Sequence, residues 1–178
     1  MFDVADILLA SREAAERLGF PPFVGPERES TPLNATPFVA HINEAGEGGF
    51  LSNRTPFIRQ LRVALERLRA SHAVPIAALL GGSAIGPKLA PSDLDCVVFY
   101  EEKKGQKLRP NHIAKLQKEM KQCNLDVRFI PADGDPVLFI KTVSFFSTLY
   151  CKNAGDLSIV RGLVLLDCRN DYDRPPKR

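Results

Sequence analysis

Residues 76–130 contain a set of side chains whose types and spacing suit chemistry on phosphates. The apolar run Ile76-Ala77-Ala78-Leu79-Leu80 ends in Gly81-Gly82-Ser83. Glycines closing a strand let backbone amides approach an anion such as phosphate, and a serine hydroxyl adds another donor. After a nine-residue spacer, Ala84–Ser92, Asp93-Leu94-Asp95 opens a second apolar run, Cys96-Val97-Val98-Phe99. Side chains two apart on a strand share a face, so the two carboxylates are expected to stand together at the mouth of a buried strand. Carboxylates crowded there repel each other and lose hydration, and a divalent cation relieves both costs. Hard oxygen ligands suit Mg²⁺ or Mn²⁺, with substrate phosphates completing the coordination shell.

A third acid follows in Leu125-Asp126-Val127-Arg128-Phe129. Leu125, Val127 and Phe129 fall on one face, which puts Asp126 and Arg128 on the other. If this strand neighbours the one that starts at Asp93, Asp126 turns into the same cleft. Three carboxylates can hold two metal ions that activate an attacking hydroxyl and steady a leaving pyrophosphate. Asp93, Asp95 and Asp126 are therefore the candidate catalytic and metal-binding residues, with Asp126 also a candidate base. Gly81, Gly82, Ser83 and Lys88 are the candidates for holding the nucleotide. Arg128 suits either a phosphate contact or a salt bridge.

The elements that must position these residues are legible from periodicity. Residues 3–19 read as a helix with Ile7, Leu8, Ala14, Ala15 and Leu18 on one side and Gly19 as a stop. Prolines 21, 22, 26, 32 and 37, then Gly46, Gly48 and Gly49, make residues 20–54 an extended arm or irregular loop. Thr55-Pro56 starts a helix running to about Ser71, with Phe57, Leu61, Ala64, Leu65 and Leu68 inward and Arg59, Arg62, Glu66 and Arg69 outward. A strand follows at 76–80, another at 93–100, a basic helix at 111–122 and a third strand at 125–130. Residues 137–151 fit either a very apolar helix or a strand pair, and 159–166 reads as a last strand interrupted by Arg161-Gly162. The expected fold is α/β (α+β), a small mixed β-sheet with helices packed mainly on one face. The expected organisation is an N-terminal helix and arm over 1–54, a catalytic domain over 55–170 and a frayed tail over 171–178.

The ordered set Gly82-Ser83, the spacer, Asp93-Leu94-Asp95 and the later Asp126 resembles the DNA polymerase β-like nucleotidyltransferase superfamily. The resemblance is specific over 76–130, and the remainder looks similar to small uncharacterised bacterial members. It implies transfer of a nucleoside monophosphate from a nucleoside triphosphate, with ATP the expected donor, to a hydroxyl or phosphate acceptor that is not readable. In that family pattern Gly82 and Ser83 hold the β- and γ-phosphates, Asp93 and Asp95 bind both metals, and Asp126 completes one site. The chain departs from the pattern in two respects. Many members carry a basic residue two or three places after the serine, where this chain has Ile85 and Gly86, with Lys88 only later. No obvious second helical domain follows to hold the acceptor, which leaves that work to the N-terminal arm, a partner chain or a homodimer.

Composition narrows the other classes. With 178 residues, 44% hydrophobic and 25% charged, the chain is an ordinary globular sequence. No run is long and apolar enough for a membrane span, and the early acids Asp3 and Asp6 do not suit a secretory signal, so the cytoplasm is expected. Cys96, Cys123, Cys151 and Cys168 lack zinc-type spacing and are expected to be reduced. His41, His72 and His112 share no spacing with them or with Ser83 and are read as non-catalytic. A net charge of +3 is too small to indicate nucleic acid, but residues 101–121 hold seven Lys or Arg against three Glu. That segment supports an alternative as an RNA-binding protein, although no aromatics interleave with its lysines. A further alternative keeps the fold without turnover, as a binding or regulatory module such as a toxin–antitoxin component.

Overall fold

The computed structural model describes residues 36–48, 51–85, 88–103, 105–106, 108–153, 156–159 and 162–170. The helix expected over 3–19 and the tail over 171–178 lie outside the described residues. In chain order the elements are β1 (Phe38–His41), α1 (Thr55–Ala70), β2 (Ala73–Gly81), β3 (Leu94–Glu102), α2 (Pro110–Gln122), β4 (Leu125–Pro131), α3 (Pro136–Cys151), β5 (Lys152–Asn153), β6 (Asp156–Ile159) and β7 (Val164–Asp167). Five strands form one sheet in the order β1-β7-β2-β3-β4, while β5 and β6 pair separately. β2 runs antiparallel to β3 and β7, whereas β1 with β7 and β3 with β4 are parallel. The sheet is mixed and the fold is α+β, as the sequence leads one to expect.

Alternation along the strands sorts the core into two layers. Ala78, Leu80, Leu94, Cys96, Val98, Leu125, Val127 and Phe129 pack with α1 and α2 on one face. Leu79, Val97 and Phe99 pack with Phe139, Val143, Phe146 and Tyr150 of α3 on the other. Helix α1 buries Ile58, Leu61, Ala64, Leu65 and Leu68. Each of the large side chains contributes about 1.5–3 kcal/mol by leaving water. Phe57, expected inside, is only partly covered, and Ile58 takes the inward place.

Three arginines of this region, two of them expected to face outward, act through backbone carbonyls. The Arg62 guanidinium donates to the oxygens of Ile42 and Ala45 at 3.0 and 2.8 Å. Arg69 donates to the Cys168 oxygen at 2.6 Å, and Arg54 ties down the loop discussed below. Thr55 is the first residue of α1 rather than its cap, and its hydroxyl donates to the Ser52 oxygen at 2.8 Å.

Residues Phe38–His41 were expected within an irregular arm, yet they form β1, paired residue for residue with β7 from Phe38↔Val164 to His41↔Asp167. His41 caps the turn that follows, its Nδ1 accepting from the Asn43 amide at 3.2 Å while Nε2 lies 3.1 Å from the Arg169 oxygen. The open choice over 137–151 resolves as helix α3. The expected last strand is found as β7, while β6 ends where that strand was expected to begin and pairs with β5 instead. No helix among the described residues is long and apolar enough to cross a membrane. Cys96, Cys151 and Cys168 are buried free thiols, and Cys123 is a free thiol on the surface.

The β1–β7 end of the sheet is secured by a buried ion pair. Asp167 accepts from Arg169 Nε at 3.0 Å, from its Nη2 at 2.9 Å and from its amide at 3.0 Å. Burial pushes the Asp167 carboxyl up, but the bonds and charge of Arg169 outweigh it and hold the group below its ordinary value. A depressed folded-state pKa adds stability above the unfolded-state value, and that stability is lost as pH falls through the folded one. Asp167→Asn is expected to cost about 1.5–3 kcal/mol at neutral pH, the range for hydrogen bonds to charged groups. Urea denaturation at descending pH checks the sign: variant and wild type should converge below the carboxylate range.

Candidate functional site

Registry across three strands builds the candidate site. Gly81, the last residue of β2, pairs with Asp95, the second residue of β3. Asp95 in turn pairs with Asp126, the second residue of β4. The three therefore form one row across the sheet, on the face of Val97 and Phe99, at the end where α3 stops. Parallel neighbours lie about 4.8 Å apart, so the Asp95 and Asp126 carboxylates emerge side by side. Both are half-buried.

The glycines give this row its shape. Gly82 has a φ of +68°, and a Cβ there would stand 2.0 Å from Asp95 Oδ2. The absence of a side chain is what allows the Asp95 carboxylate to lie directly against the turn. At Gly81 a Cβ would stand 2.3 Å from the Tyr150 Cβ, so the tyrosine ring occupies the space above this glycine. Ser83 follows in a short 3-10 turn, Gly82–Ala84.

Two charged or polar groups complete the surroundings. Arg128, on the same face of β4 as Asp126, approaches it with Nη2 3.5 Å from Oδ1. Tyr150 is buried, and that burial raises its pKa; the charges of Cys96, Asp95 and Asp126 add to the rise, and Arg128 opposes it. Cys96 is fully enclosed beneath the two carboxylates, and burial followed by the Asp95 charge raises its thiol well above the ordinary range. It is a packing residue.

The other sequence candidates are placed differently. Asp93 precedes the first residue of β3, and its Oδ1 accepts from the Ser92 hydroxyl at 3.0 Å. Asp93 is half-buried like Asp95 but stands one residue outside the strand. Among the described residues no three His, Cys, Asp or Glu side chains gather as a metal-ligand set. The expected trio is thus a registered pair, Asp95 and Asp126, with Asp93 on the adjoining loop. Lys88 stands on the exposed part of that loop.

Sequence reasoning missed Arg54. This buried residue sends its guanidinium into the loop after the glycine turn, with Nε donating to the Ala84 oxygen at 2.7 Å and Nη2 to the Lys88 oxygen at 2.6 Å. Nη1 reaches the Leu89 oxygen at 3.5 Å. The start of α1 and the far side of the loop are thereby fastened together. The acceptors are carbonyls, which carry no side-chain signature, so no motif announces the contact. Tyr150 was likewise read as core, and only its position over Gly81 sets it apart.

Basic residues of the 101–121 segment line a separate cavity of about 280 Å³ between α1 and α2, bounded by Arg67, Ser71, His112, Lys115, Leu116 and Glu119. It lies on the opposite face of the sheet. Glu119 pairs with both Arg67 and Lys115 there, which offsets much of the positive charge.

No protein-family model, no curated protein and no solved structure matches the chain. The geometry of the row therefore stands by itself.

The two glycines are expected to fail differently. Gly81→Ala drives a methyl into the base of a buried tyrosine and should lower stability in urea by about 1–3 kcal/mol. Gly82→Ala carries the cost of a left-handed backbone, about 1–2 kcal/mol, and also displaces Asp95. Comparing the unfolding free energies and the Asp95 backbone amide shift in each variant separates the two effects.

Proposed function

We propose that the chain is a metal-dependent nucleotidyltransferase of the DNA polymerase β-like kind, moving a nucleoside monophosphate from a nucleoside triphosphate, with ATP the expected donor, to a hydroxyl or phosphate acceptor. The observation that carries this reading is the row Gly81–Asp95–Asp126, with Gly82 lacking the side chain that would collide with the Asp95 carboxylate. The donor set suits a divalent ion: two carboxylates of adjacent strands present hard oxygens side by side, and the missing side chain at Gly82 leaves room for the Asp95 carboxylate against the turn. Asp95 and Asp126 would hold Mg²⁺ or Mn²⁺, with Asp93 reaching in from its loop. The bound ion would neutralise charge on the triphosphate and on the departing pyrophosphate.

The chain's own residues supply the rest. The amides and hydroxyl of Gly82 and Ser83 bind the β- and γ-phosphate oxygens. Lys88 adds charge from the loop, and Arg128 takes the place of the basic residue absent after Ser83. The acceptor oxygen bonds to the α-phosphorus, the bond to the bridging oxygen breaks, and the acceptor proton passes to Asp126. Tyr150, packed over Gly81, closes one wall. The reading includes a cytoplasmic setting, which the free thiols suit.

A second reading keeps the fold as a nucleotide-sensing or partner-dependent module without turnover. It is favoured by the gathering of two carboxylates rather than three among the described residues.

Calorimetry with Mg²⁺ and each nucleoside triphosphate, beside transfer of label from the same nucleotides into lysate components, tests the proposal. The expected result is heat with at least one nucleotide and a labelled product, the label falling by at least about a hundredfold in Asp95→Asn with Asp126→Asn. Heat without a labelled product selects the module. No heat with any nucleotide overturns the enzyme and leaves only a module without a nucleotide site.

A further inference from the structure

The cavity between α1 and α2 stands apart from the carboxylate row, and the proposed reaction does not use it. Its volume of about 280 Å³ is just under the ~300–1,000 Å³ usual for small-molecule sites. Leu116 and Ala70 give it an apolar lining, and Arg67, His112, Lys115 and Glu119 supply the polar part. Arg67 comes from the last turn of α1. His112, Lys115 and Glu119 stand at i, i+3 and i+7 on α2, so one face of that helix presents all three.

Charge decides what this cavity can hold. Two cations, Arg67 and Lys115, face one acid, so the lining stays net positive, and the His112 ring offers a further N–H. Glu119 does not hold its partners firmly. The Lys115 Nζ is 3.9 Å away on a side chain that is 77% exposed. Arg67 touches Glu119 Oε2, yet that buried oxygen accepts no hydrogen bond among the described residues. The guanidinium carries five N–H donors and has most of them to spare.

We propose that this cavity binds a phosphate monoester, as carried by a nucleoside monophosphate or by the 5′ end of a nucleic-acid strand. An incoming carboxylate would only repeat what Glu119 already offers the two cations. A phosphate monoester brings a charge of about −1.5 to −2 and three acceptor oxygens, enough to displace a single carboxylate. Arg67 would present its planar fork to two of those oxygens and Lys115 a point charge to the third. The Ser71 hydroxyl already donates to the Arg67 carbonyl at 3.0 Å and serves as wall. Leu116 and Ala70 would take the apolar edge of the sugar or base. Glu119 is thus a stand-in that occupies the cations until the phosphate arrives. The site is independent of the Gly81–Asp95–Asp126 row, because Leu116 packs in the core layer on the opposite face of the sheet from Val97 and Tyr150.

Amide chemical-shift mapping of the full chain in EDTA, which keeps metal from the carboxylate row, tests the proposal. The probes are adenosine monophosphate, adenosine, and one short RNA bearing either a 5′-phosphate or a 5′-hydroxyl. At least one phosphorylated probe should shift the amides of Ser71, His112 and Lys115 while those of Gly82 and Ser83 stay in place. Its counterpart without the phosphate should bind at least about tenfold more weakly. Arg67→Ala, a change at an exposed side chain, should lower affinity by at least about tenfold. Glu119→Gln removes the competing charge and should raise affinity by about threefold or more. The tighter of the two phosphorylated probes identifies the source of the phosphate. Asp95→Asn with Asp126→Asn should bind as the wild type does, so this site stands or falls apart from the nucleotidyltransferase reading. Four results overturn the proposal: no shift at these amides with either phosphorylated probe, binding that ignores the phosphate, binding undiminished in Arg67→Ala, and binding that Glu119→Gln fails to strengthen.

Discussion

Parallel pairing of β3 with β4 is the constraint on which the candidate site depends. Its register starts at Leu94↔Leu125 and is anchored by the Leu94 amide donating to the Asn124 oxygen at 3.0 Å. Because side chains alternate, a slip of one residue would send Asp126 into the apolar layer beneath and bring Leu125 out in its place. The burial of Leu125, Val127 and Phe129 against α2 forbids that slip. Hydrophobic packing on one face of the sheet therefore fixes the position of a carboxylate on the other.

The same economy governs the glycine turn. Antiparallel pairing brings Gly81 level with Asp95, and the ring of Tyr150 occupies the space that any larger residue would need. Helix α3 thus ends where its last aromatic meets a residue without a side chain. The two acids, both half-buried, stand beside that end of the helix.

Much of this was legible in the sequence because it rests on period two. The apolar alternation at 125, 127 and 129 assigned Asp126 its face, and the doubly apolar run at 96–99 marked an internal strand. The second strand starts one residue later than its spacing suggests, because the chain joins the sheet at Leu94 rather than Asp93. β1 was hidden because four residues between a proline and a turn carry too little pattern to outweigh the breakers around them. α3 could not be told from strands because it is apolar on nearly every side, so neither period dominates. The contacts of Arg54, Arg62 and Arg69 were illegible in principle, since carbonyl acceptors exist at every position.

The clasp formed by Arg54 divides the linker between the turn and β3 into two parts of unequal tolerance. Its grip extends from Ala84 to Leu89, so an inserted or deleted residue in that stretch would strip carbonyls from a buried cation. Past Leu89, Ala90 and Ser92 are solvent-facing, and the chain can lengthen there without disturbing either anchor. Natural variation in the length of this connection should accordingly accumulate just ahead of Asp93, and the first half should keep a constant size.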